Sequence, residues 1–187
     1  MVRFMDRNTA LELVKLNVKN ENLIKHMLAV EAIMRELAKL LSEDGETWGL
    51  TGLLHDIDFE KTSVNPNEHG VEAEKLLKGK VNEEILKAIK THNYEYTGVK
   101  PESRMEKALV AADAISGLII ACALVMPSKK LKDVKIETLK KKFKDKDFAR
   151  GSSRDRILIC EEIGVSKEKF FEVALKALQE ISLTLGL

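Results

Sequence analysis

The sequence predicts an all-α protein, a helical bundle of about seven to nine helices, on three observations. Capping residues recur ahead of apolar stripes at helical spacing. No segment sustains the two-residue alternation of a half-buried strand. A long run over residues 108–126 is apolar except for Asp113 and Ser116, and Pro127 closes it. At 187 residues the chain suits one domain that buries its own core.

The elements follow in order. Thr9 and Glu12 have the spacing of a capping box opening a helix over 9–18. Over 22–41, Leu23, Val30, Ile33, Leu37 and Leu41 recur at helical spacing, and His26 falls on the same stripe. Gly45 is expected to end that segment, and Thr47 to cap a short helix over 48–56. Asn65-Pro66 pairs a cap with a first-turn proline ahead of a helix reaching residue 78, where Gly79 stops it. Asn82 caps a helix to His92, and a loop through Gly98 and Pro101 follows. Ser103 and Glu106 form a second capping box at the start of the long apolar helix. Three more helices are expected over 136–143, 153–163 and 166–185, with Gly164 closing the second. No repeat or long linker interrupts the chain, which reads as one domain over 1–187, with a core over 22–126 and a helical extension over 127–187.

Charge is balanced, 31 Lys and Arg against 30 Asp and Glu, which excludes a protein coating nucleic acid through bulk charge. No nucleic-acid polymer is expected as a partner; a homo-oligomer is left open. The runs Lys129-Lys130 and Lys140-Lys141-Lys142 read as solvated faces. Cys122 and Cys160 form no metal-binding pair and read as reduced thiols of a cytoplasmic protein. Residues 1–6 lack a signal-peptide core. Interrupted by Asp113, the apolar run falls short of the ~20 residues that cross a bilayer. It reads as the central buried helix, and no membrane location is expected.

The informative residues are four histidines, His26, His55, His69 and His92, each on or at the end of a different expected helix. His26 is in register with Leu23, Val30 and Ile33, His69 with Ala73 and Leu76, and His92 with Ile85 and Ile89. One histidine on an apolar face is ordinarily a hydrogen-bonded core residue, and four such coincidences weaken that explanation. Asp113 shares a face with Leu109, Ser116 and Ile120, so its carboxylate needs a cation, yet the nearest basic residue in sequence is Lys107. A hydrogen bond to a buried histidine would satisfy it; a metal ion shared by several helices would account for all the misplaced polar residues together. Imidazole with carboxylate, as in the doublet His55-Asp56, suits a divalent transition metal such as Fe, Mn, Co, Ni or Zn.

The ordered set His26, then His55-Asp56 within Gly-Leu-Leu-His-Asp-Ile, then Asp113 in Ala-Ala-Asp, resembles the motif of the HD superfamily of metal-dependent hydrolases. The resemblance spans roughly 22–126 and includes Glu-His-Gly at His69 and Ala-Ile-Lys-Thr-His at His92. It implies an HD-domain bundle in which His26, His55, Asp56 and Asp113 bind a first metal ion. It further implies that His69 and His92 complete a second site, with Asp56 bridging. The chain departs from the frequent His-Asp-Ile-Gly-Lys form by reading His-Asp-Ile-Asp-Phe, and no tyrosine-proline signature of the cyclic-dinucleotide branch follows.

The resemblance implies a phosphohydrolase acting on a nucleotide or another small phosphate ester through metal-activated water. Asp58 and then Glu95 are the candidate general acids or bases. Lys61, Arg104, Lys129 and Lys130, near the ends of ligand-bearing segments, are candidate phosphate contacts. Arg150, Arg154 and Arg156 around Gly151-Ser152-Ser153 offer an anion-binding stretch, and Tyr94 and Tyr96 surfaces on which a base could stack. The alternatives are a di-iron oxygenase of the same fold, a non-catalytic metal- or nucleotide-binding module, and six merely structural residues.

Overall fold

In a computed structural model describing residues 4–187, every regular element is helical and no strand occurs among the described residues. Residues 1–3, the start of the N-terminal stretch considered above, lie outside them. Among the described residues nine α-helices exceed four residues, accompanied by three single turns and three short 3-10 turns.

Helix α1 (Arg7–Asn17) begins two residues before the expected cap. Asp6 is the N-cap, its carboxylate accepting from Thr9 N at 2.9 Å, so Thr9 lies inside the first turn and makes no capping box. Helix α2 (Glu21–Leu41) is capped by Asn20 and ends at Ser42, whose φ of 59° makes the left-handed stop. Gly45 therefore ends nothing. It opens α3 (Gly45–Leu54), because Asp44 accepts from Glu46 N and Thr47 N and displaces Thr47 as cap. His55 and Asp56 follow α3 directly, and the single turn α4 (Phe59–Thr62) comes next.

The helix expected from Asn65-Pro66 is broken. Pro66–Glu68 form a 3-10 turn, His69 is extended, and Gly70 at φ 84° redirects the chain into α5 (Val71–Leu77). That break removes His69 from the expected face of Ala73 and Leu76. Helix α6 (Glu83–His92) has the expected Asn82 cap, and the expected loop contains one turn, α7 (Tyr94–Thr97). Helix α8 (Arg104–Leu124) is capped by Ser103, while the Glu106 carboxylate accepts from Glu102 N instead of closing the second capping box. By length and composition α8 could cross a membrane, but 67% of its apolar window is buried, which makes it a core helix. Beyond it lie α9 (Ile136–Lys144), α10 (Arg154–Leu158), a 3-10 turn closed by Gly164, α11 (Lys167–Glu180) and the turn α12 (Ser182–Leu185). The last two divide the expected final helix at Ile181.

Apolar side chains gather in two clusters. One joins α2 and α8 to the C-terminal helices through Ile33, Leu37, Ile115, Phe170 and Phe171. The other joins α1, α3, α5 and α6 through Val14, Leu53, Leu54 and Ile89. His55-Asp56 follow Leu53-Leu54 of the second, and Asp113 stands between Ala112 and Ala114 of the first, so the polar residues lie where the clusters meet.

The packing that matters most for this position is α3 on α2. A Cβ on Gly52 would lie 2.8 Å from Glu31 N and 2.9 Å from Glu31 Cα, both backbone atoms of α2. Only glycine permits so close an approach. Buried Glu31, clamped by Arg7 at 2.6 Å and Arg35 at 3.0 Å, fixes the same seam, and Arg35 reaches on to Glu46 of α3. Gly52→Ala is expected to cost about 1–3 kcal/mol as an overpacking change. That lowers Tm by roughly 2–10 °C at this chain length, and an unchanged thermal melt would show that the seam can give.

Candidate metal centre

The six expected ligands come together from five segments, and all but fully buried His55 line one cleft. His26 projects from α2, His55 and Asp56 from the end of α3, His69 from the extended residue before α5, His92 from the last position of α6, and Asp113 from the middle of α8. His55, Asp56, His69 and His92 are buried, and Asp113 and His26 are half-buried at the rim.

The second nitrogen of each imidazole fixes what the first can do. His55 Nδ1 meets the Gly52 carbonyl at 2.8 Å, and His92 Nδ1 meets the Ile89 carbonyl. His69 Nδ1 meets Asp58 Oδ1 at 2.8 Å. Ser116 Oγ donates to the Asp113 carbonyl at 2.8 Å, so against His26 Nδ1, 3.1 Å away, it can only accept. All four Nδ1 atoms are therefore N–H donors, and this assignment follows from their partners. Four Nε2 lone pairs are left facing inward.

They converge on two carboxylates. Asp56 Oδ1 lies 3.2 Å from His69 Nε2, 3.4 Å from His55 Nε2 and 3.5 Å from His92 Nε2, while Asp56 Oδ2 lies 3.6 Å from His26 Nε2. Asp113 Oδ1 is 3.2 Å from His26 Nε2 and 3.9 Å from His55 Nε2. The Nε2 atoms of His69 and His92 are 2.9 Å apart, and buried His55 Nε2 has no hydrogen-bond partner. Such convergence of acceptors repels itself unless a cation sits among them. Two overlapping ligand groups, His26 with His55 and Asp113, and His55 with Asp56 and His92, have their ligating atoms within 4.8 Å of one another. Nitrogen and oxygen donors so placed fit a divalent ion of the transition series.

The electrostatics agree. Burial drives His55 down to about 4, keeping it neutral and able to ligate. For His69 burial is outweighed by Asp56 and Asp58, which raise it to about 9, so the pocket favours a cation at that nitrogen, proton or metal. Burial of His26 is likewise outweighed, by Asp113 and Asp56, and its pKa rises. Burial would raise both carboxyls, yet both are held below the usual range. The surrounding histidines do this for Asp56, and His26, His55 and Arg156 for Asp113.

Other expectations change. Asp58 is neither exposed nor free: it is 2% exposed, and its carboxylate accepts from His69 Nδ1, from Gly70 N at 2.9 Å and from Ala73 N at 2.8 Å. With Gly70 unable to cap α5, Asp58 caps it from a distance and orients His69, with its oxygens already engaged by these donors. Glu95 is exposed on α7 and does not line the cleft. Nor do Lys61, bonded to Asn17, Arg104, paired with Glu43, or exposed Lys129 and Lys130; closeness in sequence to a ligand did not bring them near it. Tyr96 is 55% exposed, and Arg150 pairs with Asp147 at the surface.

Asp113 does have a basic partner. Arg156 Nη2 donates to Asp113 Oδ2 at 2.9 Å and to the His92 carbonyl at 2.9 Å, from 43 residues along the chain. The sequence search for a cation within one helical turn could not reach it. Leu23, Phe59 and Asn93 complete the cleft, a space of about 360 Å³. A model of the HD domain family matches residues 23–118, just over half of the chain. No curated protein and no solved structure matches it.

Proposed function

Because this chain belongs to the HD domain family, we propose that it is a metal-dependent phosphohydrolase acting on a nucleotide or another small phosphate ester. The convergence of four Nε2 lone pairs on Asp56 and Asp113, each fixed by its Nδ1 partner, carries the reading. His26, His55, Asp56 and Asp113 would hold a first ion, and His69 and His92 a second, with Asp56 between them. A divalent ion bound there supplies Lewis-acid activation of water near neutral pH and of a phosphoryl oxygen. The chain's own contribution is orientation. Gly52, Ile89, Ser116 and Asp58 hold the imidazole rings, so little reorganisation is needed when charge develops. Leu23 and Phe59 give the cleft an apolar side.

The test is direct. Protein purified anaerobically is expected to carry divalent metal and to hydrolyse at least one compound among phosphomonoesters, nucleotides and dinucleoside polyphosphates. Metal-loaded protein inert on all of them, yet consuming oxygen with an organic substrate, would replace the hydrolase with the oxygenase reading. Elemental analysis should fall from two ions per chain to one in His69→Ala and in His92→Ala. Equal metal content in both variants and the parent would remove the second site.

A further inference from the structure

Arg156 belongs to no part of the family-matched segment, yet among the described residues it is the one arginine or lysine lining the cleft. It also lines a second cavity of about 310 Å³, walled by Ala114, Gly117, Gly151, Ser152 and Ser153, which shares His26 and Asp113 with the first. The guanidinium thus stands at the junction of both spaces. Its placement is built: Arg154, two residues earlier, donates to the carbonyls of Lys142, Phe143, Asp145, Phe148, Ala149 and Ser152. Those bonds fold the preceding loop into a fixed wall and aim α10 at α8.

The hydrogen bonds of Arg156 leave it unsaturated. Nη2 uses its donors on Asp113 and the His92 carbonyl, whereas buried Nε has no partner and Nη1 makes no hydrogen bond. The side chain keeps 16% of its surface exposed, which opens onto the two cavities. Asp113 is divided in the same sense, Oδ1 toward His26 and Oδ2 toward Arg156. A single carboxylate therefore separates the guanidinium from the imidazole cluster. Asp56 and Asp113 together offset at most one divalent ion, so the Arg156 guanidinium adds to the attraction of the lining for an anion. Guanidinium matches the oxygens of a phosphate group in spacing and charge.

We propose that Arg156, supplied from the extension beyond the family segment, binds the phosphate group of the substrate beside the metal centre. The proposal takes from the hydrolase reading only that the anion is a phosphate. Inorganic phosphate is the probe, titrated calorimetrically into metal-loaded parent, Arg156→Gln and Arg156→Lys, with metal content measured on each sample. Arg156→Gln is expected to weaken phosphate about 10- to 100-fold, the worth of a charge-assisted hydrogen bond, with metal content unchanged. Arg156→Lys, which keeps the charge but not the planar fork, should fall between. If Arg156→Gln does not fold, Arg156→Lys decides: weaker binding supports the assignment and equal binding overturns it. Equal affinity in Arg156→Gln overturns it, as does a metal-loaded parent that binds no phosphate. Loss of metal from Arg156→Gln also overturns it, because the residue would then act through Asp113. Phosphate binding through Arg156 in a protein that hydrolyses no ester would sink the hydrolase reading and leave this one standing.

Discussion

Asp56→Ala is expected to leave the purified protein without stoichiometric metal. Asp56 is the one group whose two oxygens face all four imidazoles, Oδ2 toward His26 and Oδ1 toward the other three. Truncation leaves a half-buried Asp113 and imidazole nitrogens, a poor match for a divalent cation that needs anionic oxygen close by. Even residues that merely orient ligands change metal affinity by about 10- to 100-fold, so loss of a central ligand should exceed that. Asp56→Asn keeps the shape without the charge and should fail in the same way. Elemental analysis after desalting is the measurement, with the far-ultraviolet circular dichroism of each variant as the check on folding. Undiminished loading in either variant would remove Asp56 from the ligand set.

Asp58→Ala is expected to be among the most destabilising single changes in the chain. It strands the Nδ1–H of His69 and the backbone N–H groups of Gly70 and Ala73, three buried donors, at a cost of about 3–5 kcal/mol. For a chain of this length the melting temperature should drop on the order of 10 °C. The same substitution frees His69 to rotate, so one of two ions should be lost while the first remains. Asp58→Asn retains one accepting oxygen and should sit between parent and alanine variant in both readouts. A variant that melts with the parent and keeps its full metal content would show that His69 is held by something else.

Much of the site was legible because inward-facing positions on a helix are periodic. His26, His92 and Asp113 sit on stripes whose apolar members are buried or partly buried, and His55-Asp56 follows two buried leucines. Helix boundaries were less so: Asp6 and Asp44 compete with Thr9 and Thr47 for the cap, and a carboxylate three residues earlier wins. The break at His69-Gly70 had a visible signal in the glycine, overridden by the Asn65-Pro66 start. Asp58 was visible as a residue but not as a cap, since its partners arrive only when the chain folds back over eleven residues or more. The pairing of Arg156 with Asp113 lay beyond any local rule. Periodicity says which way a side chain faces on its own helix and nothing about which helix stands opposite.

The seam at Gly52 bears on which ion the centre accepts. His26 rides on α2 and His55-Asp56 close α3, and the two backbones are in contact there, with no side chain between them to compress or rotate. The separation between these donors is thus set by main-chain packing, and it cannot widen without parting the helices. Calcium gathers six to eight oxygens at about 2.3–2.6 Å in loose, adaptable shells. A rigid gauge rich in nitrogen is therefore expected to turn such an ion away on both radius and donor chemistry, and to favour the smaller ions of the transition series.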